Sequence, residues 1–362
     1  MAINRIVDQA MLNSSAKSAG SCCSAKAPVQ KGGSSRRPLD AFAIILAIGS
    51  CFIWALQQVA IKGTALEVDP LLQVVIRTVI ALILLWAAQK FFIKEEWNSA
   101  VKWWHGMLVG LFYFGEFFCV SQALRLGPSS HVAVLLYTAP MFSAVGLAFA
   151  IAEERMSLIQ WTGVFTAFGG VAFSILYPAL VDGAGSPTDP EWLLGDFFGI
   201  MAGLSWGLTT VIIRVTPMSN AAPTQMLFWQ LLGGLVFFTI MLFATGQTHF
   251  EPKFWGWTNL VFQGVVVSFA SYLTWCWLLR NYLASRLGVL CFLTPIYGIL
   301  LSVLILGERL HAAFLLGASL VFVGLICVQA SQIKSWWKHR RAVREKREGY
   351  PDLKDIERHL DK

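Results

Sequence analysis

Apolar blocks of about twenty residues dominate the chain, and no other feature constrains its fold as much. Each is close to the length an α-helix needs to cross ~30 Å of hydrocarbon. The blocks run over residues 41–61, 71–91, 103–123, 130–151, 158–179, 194–213, 224–245, 257–279, 287–306 and 312–331. The connectors are short except for residues 180–193, which are acidic and contain no Lys or Arg. The pattern predicts an all-α integral membrane protein with ten transmembrane helices.

The composition agrees with this prediction and excludes other classes of protein. The chain is 56% hydrophobic and 14% charged, with a mean hydropathy of +0.61, whereas soluble domains are roughly 45–50% apolar and about 25% charged. A soluble enzyme, a disordered scaffold and a nucleic-acid-binding protein are therefore excluded. The net charge of +7 does not point to nucleic acid, because the basic residues lie mainly in the tails and connectors.

The distribution of Lys and Arg predicts the orientation in the membrane. If the N-terminus is cytoplasmic, 23 of the 28 Lys and Arg residues lie inside, four lie outside, and Arg77 lies within a span. We therefore expect a multi-pass protein of the cell (inner) membrane with both termini in the cytoplasm. Residues 1–40 are expected to form a disordered cytoplasmic tail, for which a targeting role stays open, and residues 332–362 a basic cytoplasmic tail.

The sequence contains an internal repeat. The segment from Trp54 to Lys62 has a counterpart from Trp206 to Arg214, at an offset of 152 residues. A second match joins residues 137–155 to residues 292–309; each contains a proline and ends in Glu-Arg. Glycines follow both Glu residues at the same two distances, nine and sixteen residues further on. The repeats are expected to occupy residues 41–180 and 194–331.

Each repeat has five spans, an odd number, so the second must enter the membrane from the opposite side. Two inverted five-helix repeats are typical of transporters, whose substrate site lies near the midplane between the halves. Two similar halves of opposite orientation can exchange inward-open and outward-open shapes at little net energy.

These residues also carry a family resemblance. The Trp54–Lys62 span, the Pro-Leu-Leu segment followed by Arg77, and the two Pro-to-Glu-Arg segments resemble the EamA family of the drug/metabolite transporter superfamily. One departure is an extra residue between Pro140 and Glu154, compared with the second copy. The resemblance covers roughly residues 41–330 and implies a ten-helix exporter of small metabolites, often amino acids or related compounds.

Two charged residues lie inside predicted spans, where charges are rare and usually functional. Arg77 and Glu116 are each expected ~10 Å below the outer surface of the hydrocarbon core, given a rise of about 1.5 Å per residue. One interpretation is an ion pair that fixes two helices. The other has Glu116 as a site for a proton or a substrate ammonium, with Arg77 tuning its proton affinity or holding a substrate carboxylate.

Uncharged candidates form a second group. Pro140 and Pro295 are expected to break helices and free backbone carbonyls. Aromatic rings, hydroxyls and amides near these breaks and on the repeat-related helices suit amphipathic solutes, including aromatic or cationic ones. The substrate-binding candidates of this group are Tyr137, Thr138, Thr294, Trp54, Trp206, Gln57, Gln58 and Gln230.

The predicted function is secondary transport: export of a small neutral or zwitterionic metabolite by alternating access. No Walker motif occurs, so ATP cannot drive transport directly. The sequence leaves open whether transport is coupled to exchange or to protons. It also leaves open whether the protein forms a homodimer. A sugar-phosphate or nucleotide-sugar antiporter is the alternative, disfavoured because spans six to ten contain no interior cation. A membrane-embedded enzyme is more distant, since no nucleophile-with-base cluster, metal-binding motif or cofactor motif occurs.

Overall fold

The computed structural model describes residues 40–151, 156–181, 190–282, 287 and 290–328. Within these ranges the chain is helical and contains no β-strand; one isolated antiparallel bridge pairs Val68 with Phe250. The expectations for the two tails lie outside the described residues apart from Asp40, as do most of the acidic connector and residues 152–155.

The described helices follow the apolar blocks closely. They are α1 Ala41–Gly63, α2 Pro70–Ala88, α3 Trp103–Leu126, α4 Ser129–Leu136, α5 Ala139–Ala150, α6 Leu158–Val181, α7 Pro190–Val215, α8 Pro223–Thr245, α9 Phe254–Val261, α10 Tyr272–Asn281, α11 Leu293–Leu306 and α12 Ala312–Val328. A π-helical turn, Gln89–Ile93, extends α2, and a ten-residue π-helix, Phe262–Ser271, joins α9 to α10. A 3₁₀ turn, Pro217–Asn220, precedes α8.

Seven helical segments in the described ranges are long and apolar enough to cross a membrane. Three of them are composite: α2 and its π-helical turn together span Pro70–Ile93, α4 and α5 together span Ser129–Ala150, and α9, the π-helix and α10 together span Phe254–Leu278. Three shorter apolar helices cover Leu158–Ser174, Leu293–Leu306 and Ala312–Val328. Every one of the ten apolar blocks therefore contains a helix, and seven of these helices meet the length that a full crossing needs.

Local sequence explains where several helices begin. The Asp40 side chain caps α1 by accepting a hydrogen bond from the Ala43 backbone N–H at 2.8 Å, which satisfies one of the free donors of the first turn. Proline opens α2 and α8 and lies in the first turn of α5. Its missing N–H costs nothing there. The span 129–150 is interrupted at Tyr137 and Thr138, just before Pro140.

Glycines bring α6 and α12 into backbone contact. A Cβ atom added at Gly163 would lie 2.7 Å from the carbonyl oxygen of Gly324, and one added at Gly170 would lie 2.6 Å from that of Gly317. Moving seven residues forward along α6 means moving seven residues back along α12, so the helices run antiparallel. Small residues permit this close approach in membranes.

The remaining helices cross between the two halves of the sequence. The helix α1 packs on α11, α3 packs on α7 and α8, and α2 packs on α8 and the π-helix. The composite span α4–α5 packs on α7, and its first part also contacts α11. The interface between residues 41–181 and 190–328 is therefore the centre of the molecule.

Two carboxylates join connectors from different halves. Glu67, between α1 and α2, accepts hydrogen bonds from the backbone N–H groups of Lys253 and Gly256, at 2.8 and 3.0 Å. Glu95, between α2 and α3, accepts a 2.8 Å hydrogen bond from the Thr224 hydroxyl at the start of α8. We call these contacts the Glu67 clasp and the Glu95 clasp. Because α2 runs between their two connectors, they lie at opposite ends of the helices.

Candidate functional site

A cavity of about 270 Å³ lies between α1, α3, α7, α8 and α10. Its walls combine aromatic rings, amides and hydroxyls with one carboxyl group. The lining residues are Trp54, Gln57, Gln58, Tyr113, Glu116, Phe117, Val120, Leu136, Tyr137, Trp206, Thr209, Thr210, Ile213, Met226, Gln230, Tyr272, Trp275 and Cys276. The mostly apolar wall with a few polar groups is the usual composition of a small-molecule site.

Seven of the ten substrate- or proton-binding candidates lie in this wall. They are Glu116, Tyr137, Trp54, Trp206, Gln57, Gln58 and Gln230. They come from α1, α3, α7, α8 and the break between α4 and α5. The structure thus brings together side chains that are up to 176 residues apart in the sequence.

The aromatic walls are held by contacts between the rings. The Trp54 indole meets the rings of Tyr272 and Trp275 edge-on, at centroid distances of 6.0 and 5.1 Å. Its Nε1–H donates a 3.0 Å hydrogen bond to the Ser271 hydroxyl, which fixes the plane of the ring. Tyr137 and Trp206, which also line the cavity, form a second edge-to-face pair at 5.3 Å. Such pairs are preferred ring geometries, so both walls present defined aromatic faces.

Glu116 is the one acidic side chain in the described lining, which contains neither Lys nor Arg. It lies near the middle of α3 and is 8% exposed. In the described part of the chain, no group donates a hydrogen bond to its carboxylate and no cation forms a salt bridge with it. A buried carboxylate without a protein partner is costly. The cavity therefore offers a ligand an unsatisfied acceptor.

Arg77 lies outside the cavity lining and is fully buried. Its guanidinium lies over the Phe117 ring, 4.2 Å from the centroid, and Nη1 donates a 3.4 Å hydrogen bond to Gln263. Its Nε and Nη2 atoms have no hydrogen-bond partner among the described residues. The direct ion pair with Glu116 that the depths suggested is not formed in this conformation, because the guanidinium is stacked on Phe117.

The other candidates have local roles in this conformation. The Thr138 hydroxyl donates to the Leu135 carbonyl at 2.6 Å, at the break between α4 and α5. Thr294 is fully buried at the start of α11 and does not line the cavity. Pro140 and Pro295 both lie in the first turn of a helix that follows an interruption.

Sequence reasoning missed several lining residues, and for two of them a signal was present. Thr209 and Thr210 occupy the positions of Gln57 and Gln58 at the repeat offset of 152. Tyr272 and Trp275 follow the ten-residue π-helix, whose i-to-i+5 hydrogen bonding changes the angle between successive residues. The face that these aromatic residues occupy could not be calculated from an α-helical period.

The end of the bundle that carries the α1–α2 connector is closed by hydrogen bonds between helices. Glu308, after α11, accepts hydrogen bonds from the backbone N–H groups of Ser129 and Ser130, at 2.7 and 3.0 Å. Lys62, at the end of α1, donates to the carbonyl oxygen of Gly127 at 2.9 Å. We call this set the Glu308 latch. It joins α1, α4 and α11 at one membrane face.

The cavity reaches toward the opposite face. Ile213 and Met226 line it within three residues of the ends of α7 and α8. At the latched end its lining stops at Gln58 and Val120, five and six residues before α1 and α3 end. At about 1.5 Å per residue, this leaves ~8 Å of packed protein between the cavity and the latched face.

Apolar spanning helices around an amphipathic cavity that is closed at one face define the protein as a membrane transporter. The sequence profile of the EamA-like transporter family matches residues 41–176 and again residues 193–329. The chain belongs to the EamA-like transporter family, which confirms the family resemblance inferred from the sequence.

Relatives that are named as transporters agree with this assignment. The chain is 26% identical to an uncharacterized transporter, sll0355, of Synechocystis, over 79% of this chain and 90% of the relative. It is 24% identical to a probable amino-acid metabolite efflux pump of Salmonella typhimurium, over 79% and 93%. It is 25% identical to the aromatic amino acid exporter YddG of Ancylobacter novellus, over 58% and 68%.

Proposed function

We propose that this protein is a secondary transporter that exports a small neutral or zwitterionic amphipathic metabolite, of the amino-acid class, by alternating access. The observation that carries the proposal is the cavity of about 270 Å³, which is lined by aromatic rings and amide groups. Its size suits a small metabolite, since drug-sized ligands occupy sites of about 300–1,000 Å³. Relatives named for amino-acid metabolite efflux and aromatic amino acid export support the substrate class.

We also propose ten membrane spans arranged as two inverted five-helix repeats, residues 41–180 and 194–331. The helix contacts support this symmetry. The symmetry would exchange each span with the span five places further along. The contact between spans one and nine (α1 and α11) then corresponds to the contact between spans six and four (α7 and α4–α5). In the same way, the contact between spans three and seven (α3 and α8) corresponds to that between span eight (the π-helix) and span two (α2). Spans five and ten (α6 and α12) exchange with each other, so their contact is unchanged.

The Glu67 and Glu95 clasps support the same arrangement. One joins the connectors after spans one and seven, and the other joins those after spans two and six. The exchange converts each pair of connectors into the other. The Lys and Arg distribution supports a further part of the proposal, in which both termini lie in the cytoplasm of a cell (inner) membrane and the Glu308 latch lies on the outer face.

Transport in this proposal alternates between two closures. In the described conformation, the latch closes the outer face and the cavity extends toward the cytoplasm. Export requires the latch to open while the α7–α8 end closes. The interruptions before Pro140 and Pro295 supply places where the spans can bend. Proton movement or exchange for a second solute supplies the driving force, and a homodimer remains compatible with the exposed helix faces.

A phosphate-carrying antiporter is disfavoured by the same cavity. A phosphate group is bound by Arg or Lys side chains, and the described lining contains neither. Its one acidic side chain, Glu116, supplies no positive charge for such a substrate.

Transport by purified protein in proteoliposomes tests the proposal. A mixed panel of amino acids and nucleobases is measured with and without a pH gradient. We expect transport of at least one amphipathic amino acid, and at least a tenfold loss in Trp206→Ala, which removes one aromatic wall. Trp255→Ala is the matched control, because Trp255 is 68% exposed and lies outside the lining. The proposal is wrong if no panel member is transported or if both variants behave alike.

A further inference from the structure

We infer that the cavity selects amphipathic monoamines, substrates with one positive charge and no carboxylate, and that Glu116 binds their ammonium group. The inference rests on the proposed transport function and replaces its zwitterionic substrates with cationic ones. Three features of the cavity carry it: unpartnered acceptors, the absence of a cation from the described lining, and the aromatic walls.

The first feature is a set of acceptors without partners. The Gln58 Oε1 and the Tyr113 hydroxyl are buried and have no hydrogen-bond partner among the described residues. Both line the cavity with Glu116, and Tyr113 lies one helical turn from Glu116 on the same face of α3. An ammonium group has three donors and no acceptor. After donating to the Glu116 carboxylate it still has donors for a neutral oxygen, whereas a neutral solute with a single donor can satisfy only one acceptor.

The second feature is the charge of the wall. Among the described residues, the lining holds one carboxyl group and neither Lys nor Arg. A zwitterion would find a partner for its ammonium group but none for its carboxylate, and burying an unpaired charge is strongly unfavourable. Arg77 does not supply that partner in this conformation, because it is fully buried over the Phe117 ring.

The third feature is the aromatic composition of the walls. Trp54, Trp206 and Trp275 line the cavity together with three tyrosines. The face of an indole ring attracts cations more strongly than that of Phe or Tyr, and the rings also cover an apolar body. An arylalkylamine uses both properties, with its ammonium at Glu116 and its ring between the walls.

Pairs of ligands that differ in one group test the inference. Tryptamine and tryptophan differ by the carboxylate, while tryptamine and tryptophol differ by the charged amine. Binding of each to the purified full-length protein is measured by competition against a transported radiolabelled panel member. We expect tryptamine to bind at least tenfold more tightly than tryptophan. Phenethylamine and phenylalanine should show the same preference.

The variant Glu116→Gln links this preference to the carboxylate. We expect the ratio of tryptamine affinity to tryptophol affinity to fall at least tenfold, and the ratio in Glu95→Gln to stay unchanged, since Glu95 lies outside the cavity. A thermal unfolding curve shows that each variant is folded. If Glu116→Gln does not fold, Glu116→Asp replaces it: a shorter carboxylate should retain the amine preference at lower affinity.

The outcomes separate this inference from the proposed function. If amino acids are transported but tryptophan binds as tightly as tryptamine, the monoamine inference is overturned and export of zwitterions stands. An unchanged amine-to-alcohol ratio in folded Glu116→Gln also overturns it. If neither amines nor amino acids bind or move, the proposed function itself fails.

Discussion

Replacing Glu308 with Gln should open the latched face of the transporter. In the structure the carboxylate accepts backbone N–H groups of Ser129 and Ser130, at 2.7 and 3.0 Å. A glutamine side chain keeps one carbonyl oxygen for one of these donors and turns its amide NH₂ toward the other. One hydrogen bond to a charged group is then lost, and the other is weakened.

The size of the effect follows from these contacts. A hydrogen bond to a charged group contributes about 1.5–3 kcal/mol. Glu308 is half-buried, so water can replace part of the loss and the lower end of this range applies. Each 1.4 kcal/mol corresponds to a factor of ten in a population. The fraction of molecules open at the latched face should therefore rise about 10-fold, with about 100-fold as the upper bound.

Cysteine labelling measures this fraction. Cys276 lines the cavity, so in a background where the other six cysteines are replaced, a membrane-impermeant maleimide reaches it only through an open face. Vesicles of both orientations allow reagent to be added at either face. Glu308→Gln should increase labelling from the latched face, and Glu95→Gln, at the opposite face, should not. Labelling within twofold of the parent in a folded Glu308→Gln protein would refute the latch.

Three further predictions follow from the packing and from the orientation. Gly170→Ala should lower the thermal unfolding temperature in detergent, because its Cβ would lie 2.6 Å from a backbone oxygen, an overlap that costs about 1–3 kcal/mol. Gly169→Ala is the control and should not lower it, since a Cβ there would have no atom within 4 Å. Equal effects of the two variants would contradict the glycine contact. Trp54→Phe should lose the hydrogen bond to the Ser271 hydroxyl, which contributes about 0.5–1.5 kcal/mol to stability, and should weaken substrate binding. Unchanged affinity would mean that the indole is not held in place for the substrate. Reporter fusions at Asp182 and Arg340 should report opposite sides of the membrane, and signals from the same side would contradict the ten-span arrangement.

The sequence was sufficient to predict the positions of the helices. Crossing a bilayer requires about twenty apolar residues, and this requirement does not depend on how the helices pack. Seven of the eighteen described lining residues were also predicted, because polar and aromatic residues inside apolar spans are uncommon. The repeat could have added Thr209 and Thr210, which lie at the offset from Gln57 and Gln58.

Contacts that depend on the direction of a side chain were not predictable. The depths of Arg77 and Glu116 suggested an ion pair, but the guanidinium stacks on Phe117, the residue next to Glu116. A difference of one position on a helix turns a side chain by about 100°, and depth alone does not report that angle. The Glu308 latch joins residues 178 and 179 positions apart, and a sequence without an alignment gives no sign of such a pairing.

The helix contacts between the two halves also bear on how the protein can assemble. Most spans of residues 41–181 pack against spans of residues 190–328, and the Glu67 and Glu95 clasps join connectors of different halves at both faces. The covalent link over residues 182–189 is thus a small part of what holds the halves together. Two separately translated polypeptides, one ending and the other beginning in this link, should therefore associate in the membrane and copurify. A transporter of this kind can be encoded by two genes as well as by one.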